Sequence, residues 1–187
     1  MQVYKLVGQP REGIGSAEAR RLRRAGQVPA AIYGQGFSIP FSLSQTEAHK
    51  IVFTPHVYRF ELTLDGQTYS AILREYQLHP VHDYVMHLDF FACGPEDEVT
   101  VALPVKLVGT AEGVQMGGKL VPLSRRLKVR GRLKDLPSVV EIDVSSLKLG
   151  KTLTVGKVHL PGLTIVASPD TGIARIEVPR ALRAQQA

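Results

Sequence analysis

The sequence contains no tryptophan and a single cysteine, Cys93. One cysteine forms no internal disulfide and anchors no multi-cysteine zinc module. No apolar run approaches the ~18 residues that a membrane-spanning helix needs. The opening stretch MQVYKLVGQPREG lacks the basic-then-apolar order of a secretory signal, so the expected location is the cytosol. Acid is also scarce: 17 Asp and Glu stand against 23 Lys and Arg, a formal net charge of +6. A basic chain favours anionic partners, nucleic acid first and membrane surfaces second. Hydrophobic residues at 44% and charged residues at 21% exclude wholesale disorder. A length of 187 residues makes one large domain or two small ones. No internal repeat or low-complexity tract is present.

The charge is uneven. Residues 1–93 hold nine basic and eight acidic side chains, but five of those nine fall between Arg11 and Arg24. The remainder holds fourteen and nine. Gly94-Pro95-Glu96-Asp97-Glu98 breaks regular structure and marks a boundary. Before it, Val3 to Val7 reads as a strand. Ser16 and Gly26 bracket a short helix, Ala17 to Ala25, with Ser16 as N-cap and Gly26 at C′. Pro29 to Tyr33 reads as a strand running into Gly34-Gln35-Gly36. Ser44-Gln45-Thr46-Glu47 matches a capping box, opening a second helix that stops by Pro55. Tyr58 to Leu64, Asp65-Gly66 and Thr68 to Leu73 form a hairpin. Tyr84 to Phe91 is the last strand. Four or five strands with two helices suggest a compact barrel or sandwich with helical corners.

After the boundary, Val99, Val101, Leu103, Val105 and Leu107 alternate at period two. Gly109 to Gly118 reads as a flexible hairpin loop. It fits seven positions of a phosphate-binding loop, but Leu120 replaces the magnesium-holding Ser/Thr and no helix follows, which rejects that reading. Leu127, Val129 and Leu133 alternate with Arg126, Lys128, Arg130, Arg132 and Lys134. Val139 to Val144 and Ile173 to Val178 complete an all-β pattern. The expected fold is mainly β with short helices. An N-terminal β-barrel-like domain with helices (1–93) precedes an all-β C-terminal domain (99–179) and a short tail (180–187).

Two constellations carry chemistry. In Arg20-Arg21-Leu22-Arg23-Arg24, positions 20, 23 and 24 share one helical face, and Leu22 points toward a core. Clustered guanidinium groups suit phosphate, each binding two oxygens as a fork. A solvated helix face is the alternative. In Tyr84 to Phe90, alternation sends Met86, Leu88 and Phe90 to the core and His87 and Asp89 to the other face. There they either orient a ligand or provide ordinary polarity. His79, His82, His87, Asp89 and Cys93 are possible metal ligands within fifteen residues, but their spacing matches no zinc pattern. No Gly-x-Ser-x-Gly elbow or other nucleophile–base set is evident.

Arg11-Glu12-Gly13 opens a segment continued by RRLRRAGQVPAAIYG from Arg20 to Gly34. His79-Pro80 then precedes His87-Leu88-Asp89-Phe90 by a short loop. Farther on, Val105 to Gly118 contains Gly109-Thr110-Ala111-Glu112-Gly113-Val114 and Gly117-Gly118. In this order and spacing the chain resembles bacterial large-subunit ribosomal protein twenty-five, in the two-domain form of the general stress protein Ctc family. The resemblance implies a non-enzymatic protein of the cytoplasmic large ribosomal subunit. Its N-terminal β-barrel with helices would bind a bulged, non-Watson–Crick loop of 5S rRNA in the central protuberance. The implied contacts are Arg11, Arg20, Arg21, Arg23, Arg24, Tyr33, Gln77, His79, His87 and Asp89. The strand face Arg126, Lys128, Arg130, Arg132 and Lys134 would add contacts to other rRNA or neighbouring ribosomal proteins. No cofactor, metal, small-molecule substrate or membrane is implied. Many family members carry a long acidic extension, whereas this sequence reads to Ala187. The competing expectation is a metal-dependent RNA-processing hydrolase built on the His-rich segment 79–93.

Overall fold

The computed structural model describes residues 1–34 and 36–179. Gln35, within the expected Gly34-Gln35-Gly36 turn, and the expected tail 180–187 lie outside the described residues. Two compact units form. The first is Met1–Asp97 with Arg132–Lys134; the second is Glu98–Gly131 with the chain from Asp135 onward.

In the first unit, β1 (Gln2–Val7), β2 (Gln9–Pro10), β3 (Gln27–Gly34), β4 (Phe37–Ser44), β5 (Tyr58–Leu64), β6 (Gln67–Leu78) and β7 (Val85–Ala92) make one curled sheet. The strand order is β1-β5-β6-β7-β3-β4-β2. Two helices, α1 (Ser16–Arg24) and α2 (Gln45–Val52), accompany it. The strand count therefore exceeds the expected four or five. The sequence reading missed β2 and β4, and Pro40 explains the latter, because a proline argues against a strand interior. It is tolerated here where the β2–β4 ladder ends: the Pro40 carbonyl accepts from the Arg11 N–H at 3.1 Å and no donor is needed in return.

The first ten residues join the two edges of this sheet. β1 lies parallel to β5, and β2 lies antiparallel to β4. Gly8 is the crossing point, its N–H donating to the Thr63 carbonyl at 3.0 Å. A Cβ there would meet Phe41 Cδ2 at 2.6 Å and Leu64 Cδ2 at 2.7 Å. Both are core side chains, 0% and 3% exposed. Gly8→Ala should therefore overpack the core and destabilise the protein by about 1–3 kcal/mol. Urea denaturation would measure it; an unchanged midpoint would show that the two edges are not closed this tightly.

Local signals behave as their chemistry requires. Gly26 has φ +74° and follows the last turn of α1, in the left-handed conformation that glycine adopts without strain. Ser16 is the first residue of α1 rather than its cap; Gly15 takes that position without a side-chain hydrogen bond. Ser44 does cap α2, its hydroxyl accepting from the Glu47 N–H at 3.2 Å. Glu47 does not return the bond. Its carboxylate accepts from Lys50 and Tyr4, both at 3.0 Å, which holds it below the usual carboxylate range. Asp65 and Gly66 both have positive φ, the geometry of a tight two-residue hairpin turn.

The core of the first unit gathers Leu6, Val28, Ile32, Phe41, Phe60, Leu62, Leu88 and Phe90. Met86 is absent from it. The β6–β7 ladder pairs Gln77 with His87 and then Leu78 with Val85, skipping Met86. This bulge moves the inward position to Val85, which is fully buried. Helix α1 buries no residue at all, so Leu22 is half-buried rather than a core anchor.

The second unit is all β apart from single turns. One sheet has the order β11-β8-β10-β13: β8 (Glu98–Val108), β10 (Arg126–Arg132), β11 (Val140–Asp143) and β13 (Thr164–Ile165). The other has the order β12-β14-β9: β9 (Lys119–Pro122), β12 (Thr152–Thr154) and β14 (Gly172–Glu177). Gly109 to Gly118 is not a hairpin loop. It contains a helical turn, α3 (Glu112–Gln115), and is packed down. A Cβ at Gly118 would meet Ile176 Cγ2 at 2.4 Å and the Gly113 carbonyl oxygen at 2.5 Å. Glycine here permits close packing, not mobility.

Candidate nucleic-acid interface

The β7 strand lies between β6 and β3, parallel to β3 and antiparallel to β6. Register therefore sets the neighbours of its outward residues. His87 stands opposite Gln77; Asp89 stands opposite Glu75 on one side and Ala31 on the other. Such cross-strand pairs hold their Cβ atoms about 5 Å apart. His87 Nδ1 is 3.3 Å from Asp89 Oδ2, and both side chains remain 24% exposed. The sequence reading placed His87, Asp89 and Gln77 here but missed Glu75. Its only signal is period-two spacing with Gln77 on an exposed strand.

One step along, Tyr33 pairs with Phe91, their rings edge-on with centroids 6.0 Å apart. Arg74, at a break in the β6 register, places its guanidinium 5.5 Å from the Phe91 ring centroid. This is cation–π distance. Arg74 and Phe91 also escaped the sequence reading, because their juxtaposition depends on that register break.

The arginine cluster divides by role. Arg23 Nε donates to the Met86 carbonyl at 3.1 Å, tying α1 to the start of β7. The bulge at Met86 frees that carbonyl from the ladder. Arg21 pairs with Glu18 at 2.7 Å, one helical turn away. Arg20 and Arg24 are exposed, and their side chains bond to no described residue. Arg11 is half-buried, and its Nε has no hydrogen-bond partner among the described residues. With Gln9, Glu18, Arg21 and Gln27 it lines a cleft of about 500 Å³. Arg11 and Arg21 thus belong to this cleft, whereas Arg23 reaches the strand that carries His87.

His79 has a structural task. Its Nδ1 accepts from the Val81 and His82 N–H groups at 3.3 and 3.2 Å, bracing the β6–β7 turn. Its ring stacks on His82 and Tyr84 at 4.9 and 4.7 Å. Nε2 is the ring nitrogen not used in this turn. Cys93 is buried, and burial, then Asp97, pushes its thiol up to about 11. Among the described residues no three His, Cys, Asp or Glu come together as a metal-ligand group. The candidate ligands meet only in pairs, His79 with His82 and His87 with Asp89. Cys93 should resist an aromatic-disulfide thiol reagent at pH 8 in the native protein and react fully once unfolded. Native labelling as fast as for a free thiol would contradict its burial.

The stripe on β10 is exposed but not uniform. Arg126, Lys128, Arg130 and Arg132 lie on the strand; Lys134 falls in the following 3-10 turn. Lys134 and Arg132 meet Glu96 at 2.8 and 3.8 Å. The expected five-cation face is therefore partly neutralised at its C-terminal end.

The Ribosomal L25p family matches residues 6–90, which include every expected RNA-contact residue from Arg11 to Asp89. The family described as ribosomal protein TL5, C-terminal domain, matches residues 98–180. The large ribosomal subunit protein bL25 of Porphyromonas gingivalis is 39% identical over 185 residues, covering 98% of this chain and 96% of that protein. The chain belongs to the bacterial bL25 family. The bL25 proteins of Parabacteroides distasonis and Amoebophilus asiaticus are 34% and 33% identical, covering 99% and 94% of their own lengths. The bL25 match thus spans both units, as the resemblance to the two-domain Ctc form implied. Membership also carries the family's setting, the large ribosomal subunit of the bacterial cytoplasm.

Proposed function

We propose that this bL25 protein is a structural, non-enzymatic component of the large ribosomal subunit that binds 5S rRNA through its first unit. One observation carries the reading: the Arg23–Met86 hydrogen bond. It sets the arginine helix beside the strand that presents His87 and Asp89. Phosphate-binding groups and groups able to read hydroxyls or base edges then share one surface.

The division of labour follows from chemistry. Arg20 and Arg24, exposed and unpaired among the described residues, are available to phosphate oxygens. The Asp89 carboxylate lies 3.3 Å from His87 Nδ1 and so restrains the orientation of the ring. Nε2 is the ring nitrogen left for a 2′-hydroxyl or a base edge. Gln77, opposite His87, supplies an amide with both donor and acceptor. Asp89 and Glu75 repel regular phosphate ladders, which favours RNA whose backbone is distorted and whose base edges are open. Tyr33 and Phe91 add apolar ring edges, and Arg74 adds a cation. On β10, Lys128 and Arg130 are left as secondary contacts to rRNA or a neighbouring protein.

Filter binding of the full chain to 5S rRNA and to an unrelated RNA hairpin, across a salt series, tests the proposal. The expected result is at least tenfold preference for 5S rRNA at physiological salt. Equal affinity for both RNAs would reduce the first unit to a nonspecific basic surface.

A further inference from the structure

We propose that a groove in the second unit, lined by Lys148, Lys151 and Lys157, binds an RNA phosphodiester backbone. The inference rests on the reading of the chain as an rRNA-binding protein. It places a contact where that reading has none, away from the β10 stripe.

The groove has an open volume of about 300 Å³. Its walls are the segment after β11 and the segment around β12 and the following 3-10 turn. Main-chain bonds hold both walls. Gly113 N–H donates to the Leu147 carbonyl at 3.0 Å, Lys151 N–H to Lys148 at 3.1 Å, and Val155 N–H to Thr171 at 2.9 Å. Val144 and Leu147 form the base and belong to the unit's core with Ala111 and Ile176. The cations therefore stand on a rigid support.

The three lysines are exposed, and their side chains bond to no described residue. Several other cations do meet acids: Lys106 meets Glu141, Lys134 meets Glu96, and Arg175 meets Glu177. The single acid of the lining, Asp143, is engaged by Ser145, whose hydroxyl and N–H hold its carboxyl below the usual range. Three lysines against one aspartate leave the groove positive.

Its chemistry selects the kind of anion. No arginine fork lines it, and the N–H groups of Val144, Leu147 and Lys151 are already given to carbonyls. Those three groups therefore build no main-chain nest for a single small anion. Lysines on long stems instead follow a chain of successive phosphates as mobile point charges. Ser146 and Thr152 add hydroxyls along the same lining.

The test uses the full chain with Lys148→Ala, Lys151→Ala and Lys157→Ala combined. Poly(U) binding is measured across a salt series, at about 0.7 log–log units per phosphate on a single strand. The slope should fall by about two units, while selectivity for 5S rRNA is retained. An unchanged slope would overturn the groove. So would saturable binding of inorganic phosphate that the triple variant loses while its poly(U) slope stays. Loss of 5S selectivity in the unmodified chain would instead fail the first-unit reading and leave the slope comparison intact. A second arm tethers iron–EDTA at Ser146→Cys, selectively because Cys93 is buried. In reconstituted large subunits the radicals should cut rRNA beside the groove. Cleavage confined to a neighbouring protein would assign the groove to an acidic protein partner and overturn the proposal.

Discussion

Replacing Arg20 and Arg24 together by Ala is expected to weaken binding to 5S rRNA and to unrelated RNA by similar factors. Both guanidinium groups are exposed and bond to no described residue, so the substitution removes available charge without breaking a bond in the protein. Each lost phosphate contact takes on the order of one unit from the slope of log affinity against log salt. The double variant should therefore lose about two units, and the deficit should shrink as salt rises. Stability should move little, about 0.5 kcal/mol or less, because α1 buries no residue. Arg23→Ala provides the contrast. It deletes the bond to the Met86 carbonyl and should loosen α1 from β7. It should therefore lose affinity for 5S rRNA disproportionately, since the helix and the strand are no longer held together. If all three substitutions give the same salt slope and the same loss on both RNAs, the arginines act only as a charged cloud.

His87→Ala and Asp89→Ala are expected to behave differently, costing about 1–3 kcal/mol against 5S rRNA and little against an unrelated hairpin. That range is taken by analogy from specific base contacts. The geometry motivates it: the two groups are 3.3 Å apart on a strand flanked by β6 and β3, positioned but still open to solvent. Asp89→Asn makes the sign informative. As an anion beside Glu75, Asp89 repels phosphate. If it served only as bulk charge, its neutralisation would strengthen binding to every RNA. If it orients His87 and accepts from the RNA, neutralisation weakens the 5S complex while slightly strengthening the unrelated one. Filter binding of these variants to both RNAs at matched salt separates the outcomes. Equal losses on both RNAs for His87→Ala would make this face ordinary surface.

These two expectations depend on sequence information of different range. The arginine helix was legible directly, since Arg20 to Arg24 and Gly26 lie within one short stretch and helical spacing needs no distant partner. The Glu18–Arg21 pair is also local, following from i, i+3 spacing on one helix. The Ser44 cap, the Asp65-Gly66 turn and the alternation of Val99, Val101 and Leu103 were likewise readable, because each rests on backbone preferences of adjacent residues. Alternation then failed at Met86, where one skipped residue in the ladder shifts the inward position to Val85. Nothing near Met86 announces this bulge; it depends on the strand paired with it.

By itself, then, the sequence determined a basic, mainly β chain, the arginine helix, and a strand carrying His87 and Asp89 outward from buried Leu88 and Phe90. Those are consequences of short-range periodicity and of residue chemistry. The tertiary structure decided that β1 and β3 run parallel to β5 and β7, and that Gly8 carries the chain between the two sheet edges. It also decided that Glu75 faces Asp89, that Arg74 meets Phe91, and that Arg23 reaches Met86. Each of those contacts joins residues tens of positions apart or across a register break. Their geometry is set by core packing and strand register, which a linear pattern of side chains does not encode one element at a time.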